Sequence, residues 1–276
     1  EISCSLVGSE MCIRDRFTSG LGNQIFQYLF SLYLKDVYPS HSVYGYYNRK
    51  FLNKHNGLEV GRVFDIILPP HTFVSDISAL GIRALGGMGI KLWIGKDECK
   101  QSARYFDGYW QDKSYFSKYV GSLKFREVSL SEENARMISL IRNTSSVALH
   151  VRRGDYCEGC RKNLFMQACT PAYYEKAICS MIDKFHRPTF FVFSDDIPWV
   201  KKNMSIPDAY YIDWNKHEDS YLDMYLMSQC KANIIANSTF SFWGAILGNE
   251  KEMVIRPKRW IGNDVPDIFP SSWFSI

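Results

Sequence analysis

The chain lacks any run of about 20 consecutive apolar residues, the length that a helix needs to cross a membrane. Its first residues also lack the basic and apolar segments of a secretory signal peptide. We therefore expect a cytoplasmic location, with peripheral contact at the inner face of the membrane as an open option.

Cysteine is present without the spacing of a disulfide framework or a metal site. The 276 residues include eight cysteines, too few to suggest a disulfide scaffold in a chain of this length. Cys157 and Cys160 form a single CxxC pair, with no second pair and no histidine cluster at zinc-site spacing. We expect reduced thiols and no bound metal.

A strong excess of one charge sign is also absent. The formal net charge of +4 suits an anionic small ligand or an acidic membrane surface, but it is too weak to argue for nucleic acid. Hydrophobic residues make up 46% of the chain, which excludes a disordered protein. The composition predicts a globular protein of one large domain or two modest ones.

The N-terminal residues show no clear helical or strand periodicity. The string SLVGSEMCIRDR resembles translated read-through at the ends of assembled reading frames. We expect residues 1–16 to be non-native or disordered, in place of a first strand. The alternative is that CIRDRF pairs as a strand.

The next part of the chain has a mixed pattern. From Phe17 a glycine-rich turn leads into an amphipathic helix that ends before Pro39. GRVFDIILPP is compatible with a strand or a short helix, and LSEENARMISLIRN predicts a helix capped by Ser131. YFDGYWQDKSYF favours a loop whose rings belong mostly to the core, with a sugar-stacking surface as the alternative. We assign residues 1–145 to an N-terminal domain.

From residue 146 onward, apolar runs typical of buried strands alternate with helical patterns. The predicted strands are VALHV, TFFVFS, AYYID, ANIIAN and EMVIRP. This alternation predicts a doubly wound parallel sheet. We assign residues 146–276 to a C-terminal Rossmann-like domain.

Polar clusters follow three of these strands at their carboxyl ends, where ligands bind in open parallel sheets. The side-chain period of two places His150 and Arg152 on one face of the first strand and Arg153 on the other. Arginine and a helix start both suit phosphate, so we predict a site for a nucleotide diphosphate. The candidate ligand-binding residues are His150, Arg152, Arg153, Asp195, Asp196, Asn237, Ser238, Thr239 and Ser241.

Each cluster also has a structural interpretation. Arg153 would pair with Asp155 in a turn, and His150 would be a satisfied core residue. Asp196 and Ser238 would only cap helices. We favour the ligand site, because four unrelated structural needs would otherwise fall on one sheet edge.

SGLGNQ, residues 19–24, looks like a dinucleotide-binding glycine loop, but Ile25 stands where the third glycine belongs. We instead predict a tight loop that brings backbone N–H groups and the Asn23 amide near a ligand. The candidate residues in this loop are Gly22, Asn23 and Gln24.

Four segments together resemble the bacterial type of α-1,2-fucosyltransferase, glycosyltransferase family 11. They are GLGNQIFQY, HVRRGDY, FFVFSDD and NSTFSFWGA, in this order and spacing, and HNG…VFDI and GYWQDKSYF are also similar. The likeness covers about residues 17–260. It departs in the first 16 residues, at Ser19 (usually glycine) and at Phe242 (commonly tryptophan).

The resemblance implies a GT-B-like α/β fold: two Rossmann-like domains facing a cleft, the C-terminal one a doubly wound parallel sheet. It implies inverting, metal-independent transfer of L-fucose from GDP-β-L-fucose to the 2-hydroxyl of a galactose-containing glycan, without a cofactor. Arg152, Arg153 and the helix start at Ser238–Ser241 would stabilise the leaving diphosphate. His150 and Asp195 would contact guanosine. Asp155 would be the base, with Glu158 as the second choice. The alternatives are an inactive homologue or a non-catalytic protein that binds carbohydrate through its aromatic residues.

Overall fold

The computed structural model describes residues 12–47, 52–53, 55–89, 94–96, 99, 102–154 and 165–276. The chain divides into two compact units, Glu1–Arg126 and Glu127–Ile276. The expected boundary after residue 145 differs from this division, because the helix at Glu132–Asn143 packs on the C-terminal sheet.

The N-terminal unit is built on a four-stranded parallel sheet with the order β2-β1-β4-β3. Its strands are β1 (Cys12–Phe17), β2 (Ser42–Tyr47), β3 (Ile94–Lys96) and β4 (Tyr105–Asp107). Its helices are α1 (Leu21–Val37), α2 (Val60–Val63), α3 (Phe73–Gly87) and α4 (Lys113–Phe116), followed by a 3-10 helix at Ser117–Ser122. GRVFDIILPP thus contains the short helix of the two alternatives, and α3 was not predicted.

Strand β1 lies inside this sheet, between β2 and β4. CIRDRF therefore pairs as a strand, and the expectation of disorder is wrong for residues 12–16; residues 1–11 lie outside the described residues. Ile13 and Phe17 are fully buried, and so are the charged residues Arg14 and Asp15, at 3% and 0% exposure. The strand thus carries charges where inner parallel strands are usually apolar.

The aromatic residues of YFDGYWQDKSYF contribute mainly to the core of this unit. Trp110 is buried and stacks on Phe30 of α1, with ring centroids 3.8 Å apart. Phe116 also packs on α1 through Phe26. Tyr109 is the exception, since it is exposed.

The C-terminal unit is built on a six-stranded parallel sheet with the order β10-β9-β8-β5-β6-β7. Its strands are β5 (Ser146–Val151), β6 (Thr189–Ser194), β7 (Ala209–Ile212), β8 (Ala232–Ile234), β9 (Met253–Arg256) and β10 (Phe274–Ser275). Its helices are α5 (Glu132–Asn143), α6 (Pro171–Phe185), α7 (Ile197–Asn203), α8 (Tyr221–Gln229) and α9 (Thr239–Ile246), with a 3-10 helix at His217–Ser220. All five predicted strands are present, and β10 adds a sixth.

Strand β5 is buried along its whole length and packs on both sides. Val147 and Leu149 join the cluster formed with α6, whereas Ala148 joins the cluster formed with α5 and α8. The period of two therefore divides one strand between two helical layers, which is the doubly wound arrangement that was predicted. In neither unit is any described helix long and apolar enough to span a bilayer.

Candidate functional site

The carboxyl ends of β8, β5 and β6 lie side by side in the C-terminal sheet. Leu149 of β5 pairs in register with Ile234 of β8, and Val151 pairs with Ser194 of β6. The predicted RRG, SDD and NST clusters follow directly from these ends. The structure thus brings together the three clusters that the sequence placed at one sheet edge.

Arg152 is held by Asp195. Its Nη1 donates to Asp195 Oδ2 at 2.9 Å, while the Arg153 backbone N–H donates to Asp195 Oδ1 at 2.9 Å. Gly154 permits this approach, since a Cβ there would lie 2.5 Å from Asp195 Oδ2. Asp195 therefore orients the turn that carries both arginines.

Arg153 contacts other residues than Arg152 does. Its guanidinium carbon lies 3.6 Å from the centre of the Trp199 ring, and its Nε donates to Asp196 Oδ2 at 3.2 Å. Asp196 also caps α7 by accepting from the Trp199 backbone N–H at 3.1 Å. Arg153 thus pairs with Asp196 among the described residues, whereas Asp155, its predicted partner, lies outside them. Trp199 is a contributor to the site that no sequence pattern indicated.

His150 is buried at the end of β5, 7% exposed, beside the Phe240 ring at a centroid distance of 6.1 Å. Burial lowers the pKa of His150 to about 3, and the nearby Arg152 charge acts in the same direction. The imidazole is therefore neutral at neutral pH. Its Nδ1 has no hydrogen-bond partner among the described residues, so the interpretation as a fully satisfied core histidine does not hold.

The NSTFS segment is engaged mainly within the chain. The Asn237 amide donates to the carbonyls of Phe165 and Trp260 at 3.1 and 2.8 Å. Ser238 caps α9, and the buried Ser241 hydroxyl donates to the Ser238 carbonyl at 3.3 Å. These three side chains position the start of α9. The half-buried Thr239 is its first residue.

The predicted loop in the N-terminal unit is held by Gln24. Its Nε2 donates to the carbonyls of Ser19 and Gly57, both at 2.8 Å. Its Oε1 accepts from the backbone N–H groups of Glu59 and Val60 at 2.8 and 3.1 Å. All four hydrogen-bonding positions of the Gln24 amide are thus occupied within the chain, and its contact with a ligand stays a prediction.

For Gly22 and Asn23, the other two candidate residues of this loop, contact with a ligand stays a prediction. Gly22 is buried in the first turn of α1, and Asn23 is half-buried and accepts from Gln111 Nε2 at 3.1 Å. No sequence pattern indicated Glu59, which is 3% exposed and accepts from the Leu21 backbone N–H at 3.2 Å. Burial raises the pKa of Glu59.

The candidate bases and the CxxC pair, residues Asp155, Glu158, Cys157 and Cys160, lie outside the described residues. Within the described residues, no group of three or more His, Cys, Asp or Glu side chains could hold a metal ion. The neighbouring carboxylates Asp195 and Asp196 contact arginine instead.

Comparison with solved structures places the fold among the GT-B-like glycosyltransferases. The NodZ α-1,6-fucosyltransferase soaked with GDP-fucose matches 87% of this chain and 93% of its own, with a TM-score of 0.50 and 14% identity. This likeness shows the fold alone. The chain is thus an α/β protein of the GT-B-like class.

The particular family follows from the sequence comparisons. The family model "Glycosyl transferase family 11" matches residues 88–275. An α-1,2-colitosyltransferase of Escherichia coli is 30% identical over 287 residues, covering 95% of this chain and 97% of the relative. The chain belongs to glycosyltransferase family 11 and is a glycosyltransferase, which confirms the resemblance.

Two further relatives match over shorter stretches. The O-antigen biosynthesis glycosyltransferase WbnK of Escherichia coli is 39% identical over 137 residues, covering 49% of this chain and 45% of the relative. The galactoside 2-α-L-fucosyltransferase Sec1 of Mus musculus is 31% identical over 103 residues, covering 37% and 28%.

Proposed function

We propose that this enzyme transfers L-fucose from GDP-β-L-fucose to the 2-hydroxyl of a galactoside, with inversion at the sugar and without a metal ion. One observation carries the proposal: Arg152 and the neutral His150 lie at the same sheet edge, and Asp195 holds Arg152 in position. Membership of family 11 and the names of the relatives supply the sugar and the linkage.

We assign binding of the diphosphate to Arg152. A leaving diphosphate gains negative charge as the glycosidic bond breaks, and a prepositioned guanidinium stabilises that charge without reorganising. Asp195 accepts a hydrogen bond from Arg152 Nη1 at 2.9 Å and so holds the guanidinium in position. Arg153, stacked on Trp199 and paired with Asp196, fixes the turn beside it.

We assign binding of the guanosine to His150. A neutral imidazole with a buried, unpartnered Nδ1 suits a hydrogen bond to a ribose hydroxyl or a base edge. Asp195, the other residue predicted to contact guanosine, already accepts two N–H groups from the arginine turn. We therefore assign Asp195 to positioning Arg152.

The acceptor hydroxyl needs a base, and Asp155 remains our first candidate and Glu158 the second. Direct displacement through an oxocarbenium-like state gives inversion, by analogy with glycoside chemistry. No metal is needed in this scheme, because arginine supplies the cation that the diphosphate requires.

The Escherichia coli relative that matches 95% of this chain is named an α-1,2-colitosyltransferase. A second candidate function is therefore α-1,2-colitosyl transfer. Paired assays with GDP-fucose and GDP-colitose on one galactoside acceptor separate the two, and the larger kcat/KM identifies the donor.

The main test is release of GDP from GDP-fucose with a lactose-type acceptor, together with linkage analysis of the product. We expect Arg152→Ala to lower kcat/KM by about 100-fold to 1,000-fold, while the exposed Arg142→Ala keeps the activity of the unaltered enzyme. Asp155→Asn should also remove activity, and Glu158→Gln should not. Glycan binding without GDP release in the unaltered enzyme would overturn the proposal in favour of a binding protein.

A further inference from the structure

Helix α3 of the N-terminal unit has its apolar residues on the outside. Phe73, Val74, Ile77 and Leu80 are 79%, 63%, 53% and 53% exposed, and Met88, which ends the helix, is 70% exposed. With 3.6 residues per turn these positions, together with the exposed Ala84, cover one arc of about 120°. No charged side chain lies within this arc, which we call the outer stripe.

The opposite face of α3 is made mainly of small residues, with the half-buried Ile82 among them. Ser75 and Ala79 are buried, and a Cβ added to Gly86 would collide with the Ile94 side chain of β3. Ser75 also belongs to the capping box with Thr72 that begins the helix. The register is therefore fixed by close packing, and the helix cannot rotate its large apolar side chains inward.

This exposure is concentrated in one place. Six of the eleven strongly exposed large apolar side chains among the described residues fall between Ile67 and Met88. Ile67, 86% exposed, directly precedes the helix. A contiguous exposed apolar surface of this kind marks a site of interaction with a partner or a membrane.

The charge of the unit indicates which partner. Glu1–Arg126 contains sixteen Lys or Arg residues against eleven Asp or Glu, a formal excess of five positive charges, whereas Glu127–Ile276 contains seventeen against eighteen. A basic unit that also exposes an apolar helix face combines the two features that bind anionic lipid surfaces. The flanks of the stripe are polar, with the His71–Asp76 pair at its amino end and Arg83 further along. These groups would stay hydrated at the level of the lipid headgroups.

We propose that the outer stripe of α3 seats the N-terminal unit on the surface of an anionic phospholipid bilayer. The helix lies in the plane of the interface, with Phe73, Ile77 and Leu80 among the upper acyl carbons. The unit is then a peripheral membrane module, and the assignment does not depend on which sugar the enzyme transfers.

The test is co-sedimentation of the full chain with vesicles of phosphatidylcholine containing about one-third phosphatidylglycerol, at low and high salt. We expect the unaltered chain to bind, more weakly at high salt, and Phe73→Ser with Ile77→Ser to lower the partition coefficient at least about tenfold. The control is Ile261→Ser with Val265→Ser, two exposed apolar residues of the C-terminal unit, which should bind as the unaltered chain does.

Three results would overturn the proposal: no sedimentation of the unaltered chain, equal binding by both double variants, or a dimer in solution that the Phe73→Ser, Ile77→Ser variant alone abolishes. The last result would assign the stripe to a second copy of the chain. GDP release with a soluble acceptor should be the same in all forms. That readout separates a failed membrane site from a failed fucosyltransferase proposal.

Discussion

Strands β1 and β5 occupy the same kind of position in the two units, and their compositions are opposite. Each lies inside a parallel sheet with strands on both sides. In β5 the burial is apolar except for Ser146 and His150, whereas β1 buries Arg14 and Asp15. Both Asp15 carboxylate oxygens lack a hydrogen-bond partner among the described residues. Of the two central strands, only β5 therefore has the mainly apolar composition that is usual in a strand buried on both faces.

Two of the three charged side chains of β1 form hydrogen bonds that compensate in part for their burial. Arg16 Nη1 donates to both oxygens of Asp107 at 2.7 and 2.8 Å, and Arg14 Nη1 donates to the Cys12 carbonyl at 3.0 Å. Burial raises the pKa of Asp15 well above its usual range, and the nearby N–H groups of Trp110 and Arg16 offset this effect only in part. The comparison predicts that charge changes in the two strands have opposite effects on stability.

The largest loss of stability should follow from placing a buried carboxylate in β5, as β1 already has at Asp15. Ala148→Asp places a carboxylate without a prepared partner between α5 and α8, and we expect it to destabilise the C-terminal unit by about 4 kcal/mol. Ala148→Asn is the matched control for volume and should cost less. Hydrogen exchange of peptides from each unit measures the change, and equal losses for Asp and Asn would show that volume decides.

The second prediction concerns His150. Its folded pKa of about 3 lies below the unfolded value near 6.5, so its stabilising contribution is complete above pH 6.5 and is lost as the pH falls toward 3. His150→Gln should therefore reduce the acid-induced loss of stability between pH 7 and pH 4 by about 3 kcal/mol. Urea unfolding at both pH values measures this, with the loop variant His41→Gln as control. An unchanged slope in His150→Gln would contradict the prediction.

The third prediction reverses the first. Asp15→Val should stabilise the N-terminal unit at pH 7 by about 2 kcal/mol, because it removes a buried carboxyl whose ionised form is disfavoured by burial. The folded pKa of Asp15 is raised, so the unaltered protein regains stability as the pH falls toward the unfolded value near 4, and the gain should shrink there. Asp65→Val, at an exposed site, is the control. A pH-independent gain would point to packing instead of charge.

The same contrast explains what the sequence could predict. In the C-terminal unit, apolar strands and capped helices agree with one another, so all five predicted strands and the shared edge of the three clusters were found. In β1 and α3 the local pattern conflicts with the fold: charges are buried in one, and large apolar residues are exposed in the other. Periodicity assigns burial wrongly in such segments.

Individual contacts in the site depended on distances that the sequence does not contain. The RRG and SDD segments indicated an anion site, but not that Asp195 would hold Arg152 or that Trp199 would stack on Arg153. Gln24 looked like a ligand residue because nothing in SGLGNQ shows that Gly57 and Glu59 fold back onto its amide.

The smallest predicted effect tests whether the N-terminal unit carries strain beyond its charges. Ser19 has a φ of 67°, in the left-handed region that favours glycine, and glycine is usual here in the family that the sequence resembles. Ser19→Gly removes that strain and an exposed hydroxyl contact to Tyr109, and the net gain should be about 0.5–1 kcal/mol. Ser40→Gly is the matched control, since it also removes an exposed hydroxyl contact, to His41, but at an ordinary φ. If thermal unfolding shows equal shifts for both variants, the left-handed backbone at Ser19 carries no strain, and the weakness of the N-terminal unit lies in its buried charges alone.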